Sequence, residues 1–99
     1  MNLRELDKEF TKRGVNFKQE VKNDELVIYR CTNIETKDEY FEVFKYRTAK
    51  PHPMDEGTWD LVELYPSDNA FGVWAWCCSS VPCVNKVLKK HFGIEEAIL

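Results

Sequence analysis

A two-residue alternation of apolar and polar side chains from Val15 to Val21, followed by two more strand-like stretches up to Arg47, most constrains the fold of this chain. Between Val15 and Val21 the odd-numbered side chains share one face and the even-numbered ones share the other. A helix repeats every 3.6 residues or so, and this alternation therefore predicts strands. After turn-forming residues at 22–25, the β-branched and aromatic content of Leu26 to Thr32 predicts a second strand that pairs with the first as a hairpin. After a polar connection at 35–38, rings on both faces of Glu39 to Arg47 predict a third strand.

Helical patterns flank this alternating region. Residues 2 to 13 predict an N-terminal helix, with Asn2 as its cap, an apolar face of Leu3, Leu6 and Phe10, and an end at Gly14. A second helix is predicted to start after Ser79 or Ser80, to carry Pro82 in its first turn and to end at Gly93.

The middle of the chain is less regular. Residues 48–58 contain two prolines and a glycine and predict the longest loop. A strand is predicted from Trp59 to Tyr65, and a break at residues 66–69. Residues 71–78 form either a strand or a short helix; we favour the strand because of its rings and Gly72. The expected fold is a single α+β domain over residues 1–99, in two layers: an N-terminal helix, a four- to five-stranded antiparallel sheet and a C-terminal helix, with both helices on one sheet face.

Composition excludes several classes of protein. With 99 residues, 43% of them hydrophobic and 13% aromatic, the chain has the size and apolar content of one folded domain. A net charge of −3 excludes a generally basic nucleic-acid binder. No segment approaches the roughly 20 apolar residues of a membrane-spanning helix. The charged start lacks the apolar stretch of a secretory signal, which predicts a cytoplasmic protein.

The cysteines and glycines do not form a recognised cofactor motif. Cys31, Cys77, Cys78 and Cys83 lack the paired spacing of a structural zinc site, and we expect reduced thiols and no metal. The glycines are isolated and form no phosphate-binding loop. No cofactor is therefore predicted. The acidic residues between 55 and 68 form no pair of the kind that a hydrolase uses, and an enzyme is disfavoured.

Two stretches carry a family resemblance. The sequence of residues 65–76, Tyr-Pro-Ser-Asp-Asn-Ala-Phe-Gly-Val-Trp-Ala-Trp, and the Phe41-Glu42-Val43-Phe44-Lys45 strand are followed by a helix that ends in Lys90-His91-Phe92. Over roughly the last 60 residues this pattern resembles small proteins encoded by phages, prophages and gut bacteria. The resemblance implies a structural role for Phe71-Gly72 and the ring-rich strand, but no activity and no catalytic or binding residues.

A surplus of rings suggests the function. Nine rings lie between residues 40 and 76, and a sheet with helices on one face would leave some of them exposed. We therefore expect a non-catalytic binding domain that contacts a protein partner or associates with itself through an aromatic sheet face and the 48–58 loop. The residues expected to bind are Tyr46, Arg47, Lys50, His52, Trp59, Trp74 and Trp76.

Two alternatives come from other classes of protein. One alternative is a binder of single-stranded nucleic acid, which is held by cations next to aromatic rings. The residues that provide this combination are Lys45, Tyr46, Arg47 and Lys50, beside His52. Cys83 lies near the start of a predicted helix, where free N–H groups favour a thiolate. It therefore suggests a small cysteine-dependent enzyme with His52 as the base. His91 lies about 12 Å along the same helix, too far from Cys83 to serve as that base.

Overall fold

The computed structural model describes residues 2–51 and 59–99. In these ranges the chain forms one α-helix, a short 3-10 turn and eight strands in two sheets. The elements are β1 (Leu3–Arg4), β2 (Glu9–Lys12), β3 (Val15–Lys22), β4 (Leu26–Asn33), β5 (Glu39–Lys45), β6 (Thr48–Ala49), β7 (Leu61–Glu63), the 3-10 turn (Asp68–Ala70), β8 (Ala75–Cys78) and α1 (Val81–Phe92).

The main sheet has the strand order β2-β3-β4-β5-β8, with every neighbouring pair antiparallel. The three strands predicted between Val15 and Arg47, now β3, β4 and β5, are confirmed. In the turn between β3 and β4, the Asn23 side chain accepts hydrogen bonds from the N–H groups of Glu25 and Leu26, which explains why the chain reverses there.

The predicted N-terminal helix is wrong, and with it the two-layer helix–sheet–helix arrangement. Residues 9–12 form strand β2, which pairs with β3 through a two-residue hairpin. Arg13 and Gly14 at its tip have φ angles of 52° and 77°, the positive values that a tight hairpin turn of this length favours. Leu6 and Phe10 do pack on the core, but Phe10 does so from strand β2 and Leu6 from the irregular segment before it. Pairing with β3 has outweighed the local preference for a helix.

The region after β5 also differs from the prediction. The strand expected from Trp59 to Tyr65 shrinks to β7 and belongs to a second, three-stranded sheet of order β1-β7-β6, in which β1 and β7 are parallel. The expected strand over residues 71–78 is confirmed only for β8. The predicted loop at 48–58 begins with strand β6, and residues 52–58 lie outside the described ranges.

The C-terminal helix is confirmed. The Ser80 hydroxyl caps α1 by accepting the N–H of Cys83, and Gly93 ends it with a φ of 67°. None of the helices in the described ranges is long and apolar enough to cross a membrane.

The main sheet is covered on both faces. On one face, Leu26, Ile28 and Val43 pack against Val84 and Leu88 of α1. On the other, Phe17, Tyr29 and Phe44 form a second core with side chains from Leu6 and from residues 65–74. The Tyr29 hydroxyl donates to the carbonyl of Asp7 and so holds the N-terminal segment above the sheet. We call this cover opposite α1, formed by Leu6 and residues 65–74, the second layer. It covers rings that the predicted fold would have exposed.

Candidate functional site

A cavity of about 700 Å³ lies on the sheet face opposite α1. Side chains from β2, β3 and β5 form one side of it, and the segments at residues 4–7 and 62–71 form the other. Its volume falls within the range of about 300–1,000 Å³ that is usual for small-molecule sites. We call it the ring-lined cavity, after the five aromatic side chains that line it: Phe10, Phe17, Tyr40, Tyr65 and Phe71.

Ring contacts give this cavity a defined wall. Phe10 and Phe17 are stacked, with centroids 4.7 Å apart and planes 6° apart. Tyr65 meets both of these rings edge-on, at 5.6 and 6.2 Å, and also meets Phe44 at 5.1 Å. Edge-on and stacked pairs are favourable ring geometries, so Tyr65 fixes the 62–71 segment against the sheet.

Glu42 is a carboxylate in this largely aromatic setting. It lies on β5, opposite Tyr29 of β4 and Cys77 of β8, and lines the cavity. The hydroxyl of Tyr65 donates a hydrogen bond to its Oε1 atom. Burial raises the pKa of Glu42, while the Tyr65 hydrogen bond and the charge of Lys12 partly oppose that rise.

The groups around Glu42 remain neutral at physiological pH. Burial raises the pKa of the buried Cys31 thiol to about 12, and burial together with nearby Cys31 raises that of Tyr40 to about 12. Burial, followed by the hydrogen bond to Glu42, also raises the pKa of Tyr65. Glu42 therefore supplies a carboxylate among neutral hydroxyl and thiol groups.

A second polar cluster, centred on Glu63 of β7, also borders the cavity. Its carboxylate accepts from Lys22 Nζ at 2.8 and 3.1 Å, from the Tyr46 hydroxyl at 2.5 Å and from the Leu6 N–H at 2.8 Å. Burial alone would raise the pKa of Glu63, but these hydrogen bonds and the charge of Lys22 outweigh it and lower the pKa. The hydrogen bond to Glu63 raises the pKa of Tyr46 to about 12. With both oxygens satisfied, Glu63 joins the small sheet to the main one.

Of the residues predicted to bind a partner, the structure brings Arg47 and Trp74 together, whereas Trp76 lies on the other face of the main sheet. Trp74 packs edge-on against Phe44 at 6.1 Å, and the guanidinium of exposed Arg47 lies 5.0 Å from the Trp74 ring centroid. Trp76 lies on the α1 side, stacked on His91 at 4.0 Å.

Tyr46 directly precedes Arg47 in the chain, and the N–H of Lys45 donates to the carbonyl of Trp74. Tyr46 is half-buried, with its hydroxyl on Glu63, whereas Lys45 and Lys50 are exposed. Trp59 is 36% exposed. His52 lies outside the described residues.

The predicted nucleophile Cys83 is half-buried at the start of α1, with its N–H on Ser80. Its predicted base, His52, falls in the part of the chain that is not described, so their pairing stays a prediction. Burial, followed by a hydrogen bond with Cys83, raises the pKa of neighbouring Cys78 to about 12. Within residues 2–51 and 59–99 no three His, Cys, Asp or Glu side chains converge as metal ligands would.

Sequence reasoning missed Glu42 and Tyr65 as site residues. Both were noted only as parts of patterns, Glu42 in a strand and Tyr65 among the rings. The available signal was an acidic residue between Phe41 and Val43 in the middle of an apolar strand. Charged side chains are rarely buried without a partner, so such a position indicates a specific role.

Comparisons with family models, with curated proteins and with solved structures found no match to this chain.

Proposed function

We propose that this chain is a non-catalytic binding domain that holds a small, largely apolar organic molecule in the ring-lined cavity. The observation that carries the proposal is a cavity of about 700 Å³ whose wall includes five rings and a half-buried carboxylate. Aromatic lining with a few polar groups is the usual composition of a ligand site. The free cysteines suit a reducing cytoplasm, which we propose as the compartment.

Three matched probes test the proposal: naphthalene bearing an aminomethyl, a hydroxymethyl or a carboxylate group. Each is titrated into ¹⁵N-labelled protein at pH 7, and amide shifts are followed by NMR. We expect saturable shifts in β2, β3, β5 and residues 65–71 with at least one probe. If no probe gives saturable shifts there, the proposed function is wrong.

A variant that fills the cavity provides the second arm. Val15 lines the cavity, so Val15→Trp should weaken binding of the tightest probe at least tenfold. Val81→Trp makes the same change at an exposed position at the start of α1 and should leave binding unchanged. Equal affinities in the two variants would place the probe elsewhere.

A second proposed function is protein contact through the surface of Arg47, Val73 and Trp74. Val73 is 69% exposed, and the adjacent Trp74 carries the guanidinium of Arg47 over its ring. Tryptophan and arginine are enriched where proteins meet. Self-association is the form we test: sedimentation equilibrium should give a mass that rises with concentration, and Val73→Asp should abolish that rise. A wild-type mass that stays monomeric would contradict self-association.

A further inference from the structure

We propose that the ligand of the ring-lined cavity carries a positively charged organic ammonium group, and that Glu42 is the residue that pairs with it. This inference rests on the proposed function, because it names the chemical class of molecule that the same cavity takes.

The charges that line the cavity single out Glu42. Of the five acidic side chains there, three are exposed to solvent and one is paired with Lys22; these are Glu5, Asp7 and Asp68, and Glu63. Glu42 is neither exposed nor ion-paired with any described Lys, Arg or His. The charge of exposed Lys12 acts on Glu42 without a direct ion pair, and a partly desolvated carboxylate without a contacting counter-ion favours a ligand that brings one.

The hydrogen bonding of Glu42 leaves room for such a group. Within the described ranges, Tyr65 is the one donor to its carboxylate, and it uses Oε1. A carboxylate has about four acceptor positions, so Oε2 can receive a bond from an ammonium N–H. Hydrogen bonds between two charged partners are stronger than those between neutral ones.

The surrounding rings favour the same class of ligand. An ammonium group gains electrostatic attraction from aromatic faces within about 6 Å, and Tyr40, Phe17 and Tyr65 line the cavity beside Glu42. The basic lining residues Arg4, Lys12 and Arg13 are exposed, so they lie towards the solvent side of the cavity. An anion could meet them there but would be repelled by Glu42.

The three naphthalene probes test this inference, because they share one ring system and differ only in the charged or neutral group. We expect the aminomethyl probe to bind about tenfold or more tightly than the hydroxymethyl probe at pH 7, and the carboxylate probe to bind weakest. Isothermal titration calorimetry gives the three dissociation constants.

Two variants that each remove one negative charge test whether Glu42 causes the preference for the aminomethyl probe. Glu42→Gln keeps an acceptor for Tyr65 and should remove the preference for the aminomethyl probe while retaining the affinity for the hydroxymethyl probe. Glu35→Gln removes one charge from the exposed turn after β4 and should keep that preference. Thermal unfolding of each variant verifies that it is folded.

The outcomes separate the two proposals. If no probe binds in the cavity, the proposed function is wrong and this inference falls with it. If the probes bind there with equal affinity, if the carboxylate probe binds best, or if Glu42→Gln keeps the aminomethyl preference, the cavity is a ligand site but the ammonium assignment is overturned.

Discussion

Two glutamates that line the same cavity, Glu42 and Glu63, show how neighbouring side chains set the direction of a pKa shift. Glu63, whose side chain is only 2% exposed, is surrounded by donors and has a lowered pKa. Glu42 has one donor, Tyr65, and a raised pKa. Burial disfavours the charge in both; for Glu63 the hydrogen bonds and the charge of Lys22 outweigh burial, and for Glu42 the Tyr65 hydrogen bond and the charge of Lys12 do not. Glu63 therefore has a structural role, and Glu42 is the group that we propose for ligand binding.

We predict that Glu63→Gln lowers the free energy of unfolding by about 2 kcal/mol at pH 7, because it leaves Lys22 without its buried partner. The pKa of Glu63 in the folded protein is below its ordinary value of 4.5, so its stabilisation is present above that pH. The difference between wild type and variant should thus shrink as the pH falls through the lowered pKa. Urea unfolding at several pH values measures it.

Glu5→Gln is the matched control for this prediction. Glu5 also pairs with Lys22, at 3.3 Å, but its side chain is 66% exposed. Its removal should cost less than about 0.5 kcal/mol at pH 7. Equal costs for the two variants would show that burial of Glu63 does not set the strength of its pairing.

Glu42 should have the opposite dependence on pH. Because its pKa is raised on folding, the folded state binds the proton more tightly, and its contribution to stability declines as the pH rises through that pKa. Glu42→Gln should therefore become more stable relative to wild type as the pH rises above the ordinary value of 4.5. Urea unfolding at several pH values measures the difference, and a flat difference would contradict the assignment.

At the level of elements, the β2–β3 hairpin replaces the helix that local pattern predicts. Leu6 and Phe10 are four residues apart, which suits a helix face, yet both reach the core without a helix. The sequence signal nearest to the difference is Arg13-Gly14, directly before an alternating strand, but it does not decide between the two structures. A glycine after an apolar stripe fits a helix end and a hairpin turn equally well, and only pairing with β3 distinguishes them.

We predict that Gly14→Ala destabilises the protein by about 1–2 kcal/mol, because its φ of 77° is unfavourable for a residue with a Cβ. A Cβ at this position would meet nothing within 4 Å, so the cost is conformational. Arg13→Asn, at a φ of 52°, should instead be neutral or stabilising, since Asn tolerates this region. Thermal unfolding compares the two, and a neutral Gly14→Ala would argue against the turn.

At the level of the whole molecule, Tyr65 links the second layer to the sheet. Its ring contacts Phe10, Phe17, Tyr29 and Phe44, and its hydroxyl donates to Glu42. These contacts join segments that are distant in the sequence. They also explain why most of the ring surplus is not exposed: a layer that the sequence did not predict packs against these rings.

We predict that Tyr65→Leu lowers the free energy of unfolding by about 2–3 kcal/mol through lost ring packing. Tyr65→Phe, which keeps the ring and removes the hydroxyl, should cost only about 1 kcal/mol. Tryptophan fluorescence during urea unfolding measures both. Equal costs would assign the role of Tyr65 to its hydroxyl instead of its ring.

The sequence by itself determined the elements whose signals are local. Alternation defined β3 and β5, β-branched and aromatic content defined β4, and Ser80, Pro82 and Gly93 defined α1, because periodicity, residue preference, capping and turn chemistry act over a few residues. Only the tertiary structure decided that residues 9–12 are a strand, that β7 joins a second sheet beside β1, and that Glu42 and Tyr65 meet in a cavity. Each of these depends on contacts between distant segments, whose energy outweighs local propensity and leaves no periodic trace in the sequence.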